Sequence, residues 1–416
     1  MFNAKTNIFI LSFILFVSCN LLATSKNPKI LMVVTSSKGE IPSHQTGYWA
    51  EELVVPAKLF QNAGFELVLA SPKGGKPPVD RSSIINSEDE NIRNIIHFIE
   101  AKENIAFFNS KKLSEIKKPR TFDAIFIVGG HGVLWDLVGN IELQGIVSEF
   151  YKDKKIISAV CHGPAALVDI MIDSKPIIQG YKITAFSNEE ETQAEGFIPG
   201  ILEVVINSPL KGLLQNRITE NGAEYDSKNP WSSHVQVSGP FITGQNPQSS
   251  EDTAKAVILQ LLKKSNPAID NFINKISDTL TTGQFSSVPV ELENIKGKMR
   301  KNQIYSVFKH DKEVNWKSGN STLYIGKRKE QYLRKEFFTE MKNHLALAKN
   351  AFSNECINSY LVMLTDDFEI AFANWKDNET RVRCLSADSS QAALSDANRI
   401  MDGTLWLADA NVIIDY

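Results

Sequence analysis

The sequence AVCHGPAAL, residues 159 to 167, places a cysteine beside a histidine directly after an apolar run. A nucleophile between a buried strand and the start of a helix sits on a sharp turn above the carboxyl edge of the sheet. The following helix N-terminus is expected to lower the pKa of the Cys161 thiol, and Gly163 is expected to permit the tight backbone. The pattern predicts a cysteine nucleophile, although a lone cysteine after an apolar strand is as often a small buried side chain.

Two further segments carry groups that suit such a site. VGGHG, residues 128 to 132, follows a second apolar strand, and its glycines let backbone N–H groups point at a ligand oxygen, as an oxyanion hole requires. SNEEET, residues 187 to 192, offers carboxylates that would orient His162 as the third member of a triad. The plainer alternatives are a glycine-rich turn and an exposed acidic loop.

A third segment, TGYWAEELVVP at residues 46 to 56, carries an acidic pair in a predicted helix. Pro56 is expected to break this helix, because its ring clashes with the carbonyl of Glu52 four residues earlier. A helix interrupted at that place favours a functional site. The alternative is that Glu51 and Glu52 are both solvated.

Residues 29 to about 263 alternate between apolar strands and helical segments. Strands are predicted at 29–36, 65–71, 122–128 and 155–160, with shorter ones at 182–187 and 241–247. Helices are predicted at 47–63, 141–153, from Pro164 onward, and at 249–264. The alternation predicts a mostly parallel sheet sandwiched by helices. The polar segment 88–118 is predicted to be an inserted cap.

A second unit begins after a helical extension and linker at about 266–315. It is predicted to begin with a strand at 321–329 and a helix at 335–352, followed by two strands within 356–375. A second helix at 389–401 and a last strand at 404–416 complete the predicted order. This order is that of a ferredoxin-like α+β domain. Three of its side chains are expected to be structural, namely His344, Trp375 and Trp406. Cys356 and Cys384 could form a disulfide.

The first 25 residues have the pattern of an export signal. Lys5 gives a positive start, and the apolar run at 8–18 is too short to span a bilayer comfortably. Cleavage is expected near Ala23, or the signal is that of a lipoprotein with Cys19 lipidated. The mature protein is therefore expected in the periplasm or outside the cell, soluble or anchored by lipid.

The composition excludes some classes of function. The chain has 416 residues, of which 43% are hydrophobic and 22% charged, and its formal net charge is -3. Because no basic stripe is visible, a nucleic acid is not expected as a partner. No CxxC or HExxH spacing occurs, so no structural zinc site is expected.

Several of these motifs together resemble a known family. GGHG, AVCHGPAAL, TGYWAEELVVP, ASPKGG and ITGQNP resemble the PfpI branch of the class I glutamine amidotransferase-like superfamily, and within it the heat-shock chaperone and glyoxalase III group. The resemblance covers about 29–264. It implies a flavodoxin-like domain over 26–265, with a cap insertion at about 80–120. Residues 316–416 resemble the dimeric α+β barrels of antibiotic-biosynthesis monooxygenases by pattern only, which favours a homodimer.

The resemblance also implies roles for residues of the site. Cys161 would be the nucleophile and His162 its base, with Glu52 touching the thiol and helping to hold it as a thiolate. Glu191 would be the acid behind His162, with Glu189 and Glu190 as adjacent alternatives. The oxyanion hole and substrate pocket would be formed by the backbone N–H of His162 together with Gly129, Gly130 and His131.

The implied reaction is the glutathione-independent conversion of methylglyoxal, or a related 2-oxoaldehyde, to D-lactate or another 2-hydroxy acid. It would run through a hemithioacetal on Cys161, with a small reactive carbonyl compound as the substrate and with no metal or organic cofactor. A cysteine amidase or peptidase and a protein deglycase are alternatives that use the same thiol. A chaperone that holds unfolded proteins without catalysis is a third alternative.

Overall fold

The computed structural model describes residues 27–39, 41, 44–86, 88–282, 289–295, 299–307, 321–352 and 355–407. The predicted signal segment, Cys19 and the end of the predicted last strand lie outside this part of the chain. Within it, no helix combines the length and the apolar character that crossing a membrane requires.

The first unit alternates strands and helices along the chain. Its strands are β1 (Lys29–Val33), β2 (Glu66–Ser71), β3 (Lys111–Lys112), β4 (Ala124–Ile127), β5 (Ile156–Val160), β6 (Met171–Ile172), β7 (Lys175–Pro176), β8 (Lys182–Ile183), β9 (Glu224–Tyr225), β10 (Val235–Ser238) and β11 (Phe241–Gly244). Its helices are α1 (Ala50–Asn62), α2 (Glu90–Glu100), α3 (Ile105–Phe108), α4 (Val133–Asp136), α5 (Ile141–Lys152), α6 (Asn188–Ala194), α7 (Ile201–Asn207), α8 (Leu214–Glu220), α9 (Ser250–Ser265) and α10 (Pro267–Thr282).

The predicted mostly parallel sheet is confirmed. Seven strands lie in the order β10-β11-β5-β4-β1-β2-β3, and all neighbours are parallel except the β10–β11 hairpin. The five strands β2, β1, β4, β5 and β11 follow the flavodoxin-like order, in which ligands bind outside the carboxyl ends of the strands. Apolar side chains cover both faces of the sheet and form two cores.

Three predicted elements of this unit differ from the structure. Only Lys182 and Ile183 of the predicted strand 182–187 form a strand, and they pair with β9 outside the central sheet. The predicted cap 88–118 holds helices α2 and α3, but its end also contributes β3 to the edge of the central sheet. The predicted helix after Cys161 is a short 3₁₀ helix, Gly163–Leu167.

The second unit completes a six-stranded sheet of its own. Its elements are β12 (Val290–Glu291), β13 (Ile304–Ser306), β14 (Ser321–Arg328), α11 (Arg334–Ala351), β15 (Ile357–Leu364), β16 (Phe368–Trp375), α12 (Asn378–Leu385), α13 (Asp388–Ile400) and β17 (Met401–Leu407). The strand order is β12-β13-β15-β16-β14-β17. From β14 onward the chain follows the predicted order, with α13 at the place of the predicted second helix and α12 as an additional helix that was not predicted. The predicted linker contributes β12 and β13.

Helix α9 lies between the two sheets, and its composition shows why. Apolar residues are buried on all its sides, as expected for a helix without a solvent-exposed face. The second sheet joins the same core through six side chains, Leu323, Ile325, Leu361, Met363, Ile370 and Phe372. This face of the second sheet is therefore covered by the first unit of the same chain. This face is therefore not free to form a dimer, and the expected homodimer, through another surface, stays a prediction.

The disulfide that the sequence left open is present in the structure. It joins Cys356, just before β15, to Cys384 in α12. A cross-link that closes a loop of this length stabilises a fold by roughly 3 to 4 kcal/mol. Cys161 is the free cysteine among the described residues.

A buried carboxyl group distinguishes the interior of the second unit. Glu369 is fully buried on β16, and neither of its oxygens has a hydrogen-bond partner among the described residues. Tyr324 and Tyr360 are buried close enough for its charge to raise their pKa values, after the larger effect of their own burial. Burial raises the pKa of Glu369 to about 8, so the group is mainly protonated at neutral pH.

We expect this group to make the second unit less stable as the pH rises. Between pH 4.5, the ordinary value, and about 8 the unfolded chain loses the proton that the folded chain keeps, so the free energy of unfolding falls. Glu369→Gln should remove the fall and stabilise the unit by roughly 3 to 5 kcal/mol at pH 8, with little difference at pH 4.5. Denaturant unfolding at several pH values measures this, with exposed Glu379→Gln as control. Parallel curves for Glu369→Gln and the native chain would contradict the assignment.

Candidate active site

Cys161 is held in an unusual backbone conformation at the carboxyl end of β5. Its φ is +59°, in the left-handed region that costs a non-glycine residue about 1 to 2 kcal/mol. Two backbone hydrogen bonds fix it, from its own N–H to the carbonyl of Gly244 (2.9 Å) and from the N–H of Phe186 to its carbonyl (3.0 Å). Strain of this kind is concentrated at functional sites. The predicted sharp turn is thus present, although a 3₁₀ helix follows it.

The GGHG loop after β4 closes one side of the thiol. A Cβ atom on Gly129 would lie 2.4 Å from a carboxylate oxygen of Glu52 and 2.5 Å from the carbonyl of Val160, so only glycine fits. Gly130 has a φ of +92°, and its backbone amide faces the thiol of Cys161. The loop therefore presents a backbone donor next to the sulfur, where an oxyanion hole was predicted.

His162 lies between the thiol and a buried carboxylate. Its Nε2 is 2.8 Å from Oε2 of Glu191, and its Nδ1 is 3.4 Å from the sulfur of Cys161. Burial and the neighbouring His131 lower the pKa of His162 more than Glu191 raises it, so the ring is neutral. Because an ionised carboxylate only accepts, Nε2 carries the hydrogen and Nδ1 is free to take a proton from the thiol.

The structure separates the three adjacent acids of SNEEET. Glu189 is exposed, whereas Glu191 reaches His162. Glu190 is occupied by hydrogen bonds from the amide and hydroxyl of Ser187, the amide of Trp231 and the side-chain amide of Asn246. It forms a capping box with Ser187 at the start of α6. The pattern Ser-x-x-Glu was a readable sign of this cap, and it assigns Glu190 a structural role.

Glu191 is shared by two histidines. Its Oε1 lies 2.9 Å from Nε2 of His131, while its Oε2 binds His162. Burial raises the pKa of Glu191, but the two histidines outweigh burial and hold the pKa far below its ordinary value. Burial likewise lowers the pKa of His131, but the charge of Glu191 outweighs it and leaves that pKa raised. The bond between His131 and Glu191 was not predicted from the sequence.

Glu52 approaches the thiol from the first turn of α1. It is fully buried beside Cys161 and Gly129, but no group among the described residues forms a well-aligned hydrogen bond with its oxygens. Burial raises its pKa well above the ordinary value, which favours the neutral acid form of Glu52. Pro56 does not break α1, which continues to Asn62, so that expectation was wrong.

The expected low pKa of Cys161 is not found either. Only 3% of the residue is exposed, and burial raises the pKa of the thiol well above its ordinary value, while the Gly130 amide acts in the opposite direction. Glu52 raises this pKa further, so the expectation that it helps to hold a thiolate was wrong. A five-residue 3₁₀ helix replaces the α-helix whose N-terminus was expected to lower this pKa. The resting site therefore holds a neutral thiol next to a neutral base. A reaction at this sulfur would therefore require the thiolate to form during the reaction, by proton transfer to His162.

This protonation state predicts slow alkylation of Cys161. At pH 7 we expect iodoacetamide to modify it at least about 10-fold more slowly than free cysteine, with the rate still rising above pH 8.5. Peptide mass analysis after timed labelling measures the rate at this residue alone. A rate that is already at its plateau by pH 7 would show a stable thiolate and contradict the assignment.

Three groups of this site lie close enough together to be considered as metal ligands. Ligand atoms of His131, His162 and Glu191 lie within 4.8 Å of one another. However, both Nε2 atoms already bind Glu191. A histidine that holds a metal normally donates its other N–H to an acceptor, whereas Nδ1 of His162 faces the thiol and Nδ1 of His131 has no partner among the described residues. The arrangement fits a hydrogen-bonded acid–base network better than a metal centre.

The fold and the site define an α/β protein with a cysteine at a strained turn beside a histidine and a glutamate, at the carboxyl edge of a parallel sheet. The DJ-1/PfpI family model matches residues 44–196. Glyoxalase 3 of Candida albicans is 32% identical over 238 residues, which are 55% of this chain and 97% of that protein. The chain belongs to the DJ-1/PfpI family and is an enzyme of that family.

Other proteins are similar to this chain over a comparable share of its length. A glutathione-independent glyoxalase of Schizosaccharomyces pombe is 28% identical over 58% of this chain and 100% of its own length. A protein/nucleic acid deglycase of Pseudomonas aeruginosa is 26% identical over 56% of this chain and 81% of its own. The crystal structure of glyoxalase III from Candida albicans covers 56% of this chain and 96% of its own, with 29% identity and a TM-score of 0.49.

Proposed function

We propose that this protein is a glutathione-independent glyoxalase that converts methylglyoxal or a related 2-oxoaldehyde to a 2-hydroxy acid, D-lactate in the case of methylglyoxal. The observation that carries the proposal is the chain of contacts from the Cys161 thiol through neutral His162 to ionised Glu191. Relatives named as glyoxalases, which the chain covers almost completely, support the same reaction.

The first step is addition of the thiol to the aldehyde carbon. As the carbon–sulfur bond forms, the thiol proton passes to Nδ1 of His162, which returns it to the aldehyde oxygen and leaves a neutral hemithioacetal. Glu191 stabilises the histidine while it is charged, as a carboxylate does behind the base of a triad. The backbone amide of Gly130 faces the sulfur, where it can donate to the oxygen that becomes negative during addition.

The second step is an isomerisation that needs a base and a neutral acid. His162 removes the hydrogen of the former aldehyde carbon and returns it to the neighbouring carbon through an enediol. The proton of the hemithioacetal hydroxyl moves to the former ketone oxygen. The neutral carboxyl of Glu52 can make this transfer by accepting one proton and releasing its own. The product is a thioester on Cys161, and attack by water releases the 2-hydroxy acid and restores the thiol.

A direct assay tests the proposed function. The purified protein is mixed with methylglyoxal in the absence of glutathione, and D- and L-lactate are measured separately with stereospecific enzymes. We expect one enantiomer, D-lactate, to form at a rate proportional to the protein concentration. Lactate that does not exceed the buffer control would overturn the proposal, and a racemic product would exclude a proton transfer directed by one base.

Export and assembly are further parts of the proposal. We propose that the chain is exported, with removal of a signal near Ala23 or lipid attachment at Cys19, and that it forms a homodimer by a surface other than the covered face of the second sheet. The pairing of Cys356 with Cys384 supports an oxidising location. Mass analysis of the native N-terminus tests export, since an unprocessed Met1 would contradict it. Light scattering of the purified protein tests the dimer.

A further inference from the structure

A second histidine of the site, His131, has one ring nitrogen without a hydrogen-bond partner among the described residues. The ring of His131 is 4% exposed and packs against His162 with 4.2 Å between ring centroids. Its Nε2 donates to Glu191, but its Nδ1 is buried and has no hydrogen-bond partner among the described residues. Leaving a buried polar nitrogen without a partner costs about 1 to 3 kcal/mol, and such groups in native proteins often serve a ligand or a reaction.

The position of His131 places it with the groups that meet the substrate. It follows Gly129 and Gly130 on the loop whose amide faces the thiol of Cys161. The ring also lies against the edge of Phe186, whose ring packs on His162. The nitrogen without a partner is therefore part of the buried cluster around the nucleophile.

The pKa values of the two histidines that share Glu191 are shifted in opposite directions. Burial and the neighbouring ring keep His162 neutral, whereas Glu191, with a smaller effect from Asp80, raises the pKa of His131 in spite of burial. Groups whose pKa values are pushed in opposite directions in one site commonly divide the roles of base and acid. His162 has the base role because its Nδ1 faces the thiol, which leaves the donor role to His131.

We propose that His131 is a second catalytic histidine, whose Nδ1–H donates a hydrogen bond to the ketone oxygen of the bound 2-oxoaldehyde and holds the negative charge on that oxygen in the enediolate. The bond forms without net transfer of a proton, so the steps given above stay balanced. The inference rests on the proposed function and deepens it, because it assigns a recognition element for the second carbonyl group. A simple aldehyde lacks that oxygen and would leave Nδ1 without a partner.

Two variants of His131 distinguish the roles of its Nε2 and its Nδ1. His131→Gln places an amide donor where Nε2 lies and keeps the bond to Glu191, but it has no donor near Nδ1. His131→Asn places a donor near Nδ1 and loses the bond to Glu191. We expect kcat with methylglyoxal to fall about 10²- to 10³-fold in His131→Gln, the effect of removing one donor from a developing oxyanion, and to fall less in His131→Asn.

A second measurement distinguishes catalysis from a structural role. Alkylation of Cys161 by iodoacetamide at pH 8.5 reports the thiol and its base without any ketone. Because His131 also affects the pKa of His162, we expect His131→Gln to change this rate by only a few-fold, far less than it lowers kcat. Exposed His97→Gln is the control for substitution as such, and thermal unfolding checks that each variant is folded. If His131→Gln keeps kcat within a few-fold of the native value, or loses alkylation as strongly as kcat, the inference is overturned. Absence of lactate from the native protein would instead overturn the proposed function, and this inference with it.

Discussion

Replacing Glu191 with glutamine should lower kcat for lactate formation by about 10² to 10⁴-fold, the range typical of changing the acid of a triad to its amide. The carboxylate accepts one hydrogen bond from each of two buried histidines. A glutamine offers only one acceptor oxygen, so its amide nitrogen must face one of the rings. When that ring is His162, it either turns or carries its hydrogen on Nδ1 and no longer presents a free Nδ1 to Cys161. When it is His131, His162 keeps its acceptor but loses the negative charge that would stabilise it once it is protonated.

The neighbouring acids provide matched controls for this variant. Glu189→Gln changes an exposed side chain and should leave kcat and stability unchanged. Glu190→Gln weakens the bonds that fix the start of α6 and should lower the melting temperature while the loss of kcat stays smaller than in Glu191→Gln. If Glu191→Gln retained native kcat, or if Glu189→Gln lost as much, the shared carboxylate would not be the acid behind His162.

Cys161→Ala should lose at least about 10³-fold in activity, which removal of a nucleophile from a multi-residue site commonly costs. The side chain is small and buried, so the variant should fold, with a change in the free energy of unfolding of only about 1 kcal/mol. Lactate release and thermal unfolding, measured on the same preparations, separate the two effects. An alanine variant that forms lactate at the native rate would show that the sulfur takes no part in the reaction.

Much of the first unit could be predicted from the sequence, because local patterns dictate it. The apolar runs at β1, β4 and β5 indicate strands that are buried on both faces, and the motif AVCHGP indicates the turn. The kind of helix after Cys161 depends on packing that no short motif records. Pro56 was expected to disrupt α1, but the helix continues through the proline as part of a buried element.

The sequence predicted which residues form the site better than it predicted their protonation states. Sequence motifs brought together Cys161, His162, Glu52 and the GGHG loop, but they do not reveal how deeply each group is buried. Burial decides the protonation states, and it changes the expected thiolate beside a carboxylate into a thiol beside a neutral acid. The bond between His131 and Glu191 joins groups 60 residues apart, which only the folded chain brings together.

The packing of the two units against each other was also not predicted from the sequence. The pattern of β14 to β17 predicted a separate α+β domain, but it could not show which face of its sheet would be covered. The sequence of α9 did indicate that this helix is covered on all sides, because AKAVILQLL leaves almost no polar face. Such a helix needs an apolar surface on either side, and the second sheet provides the one that the first unit lacks.

The most direct test of the account is to capture the intermediate on Cys161 during turnover. The protein is mixed with isotope-labelled methylglyoxal, quenched in acid within one turnover and digested, and the peptides are identified by mass. A hemithioacetal reverts on dilution, whereas a thioester survives acid, so the account predicts a stable labelled three-carbon acyl group on the peptide that contains Cys161. An unlabelled Cys161 in a preparation that is making lactate would contradict it.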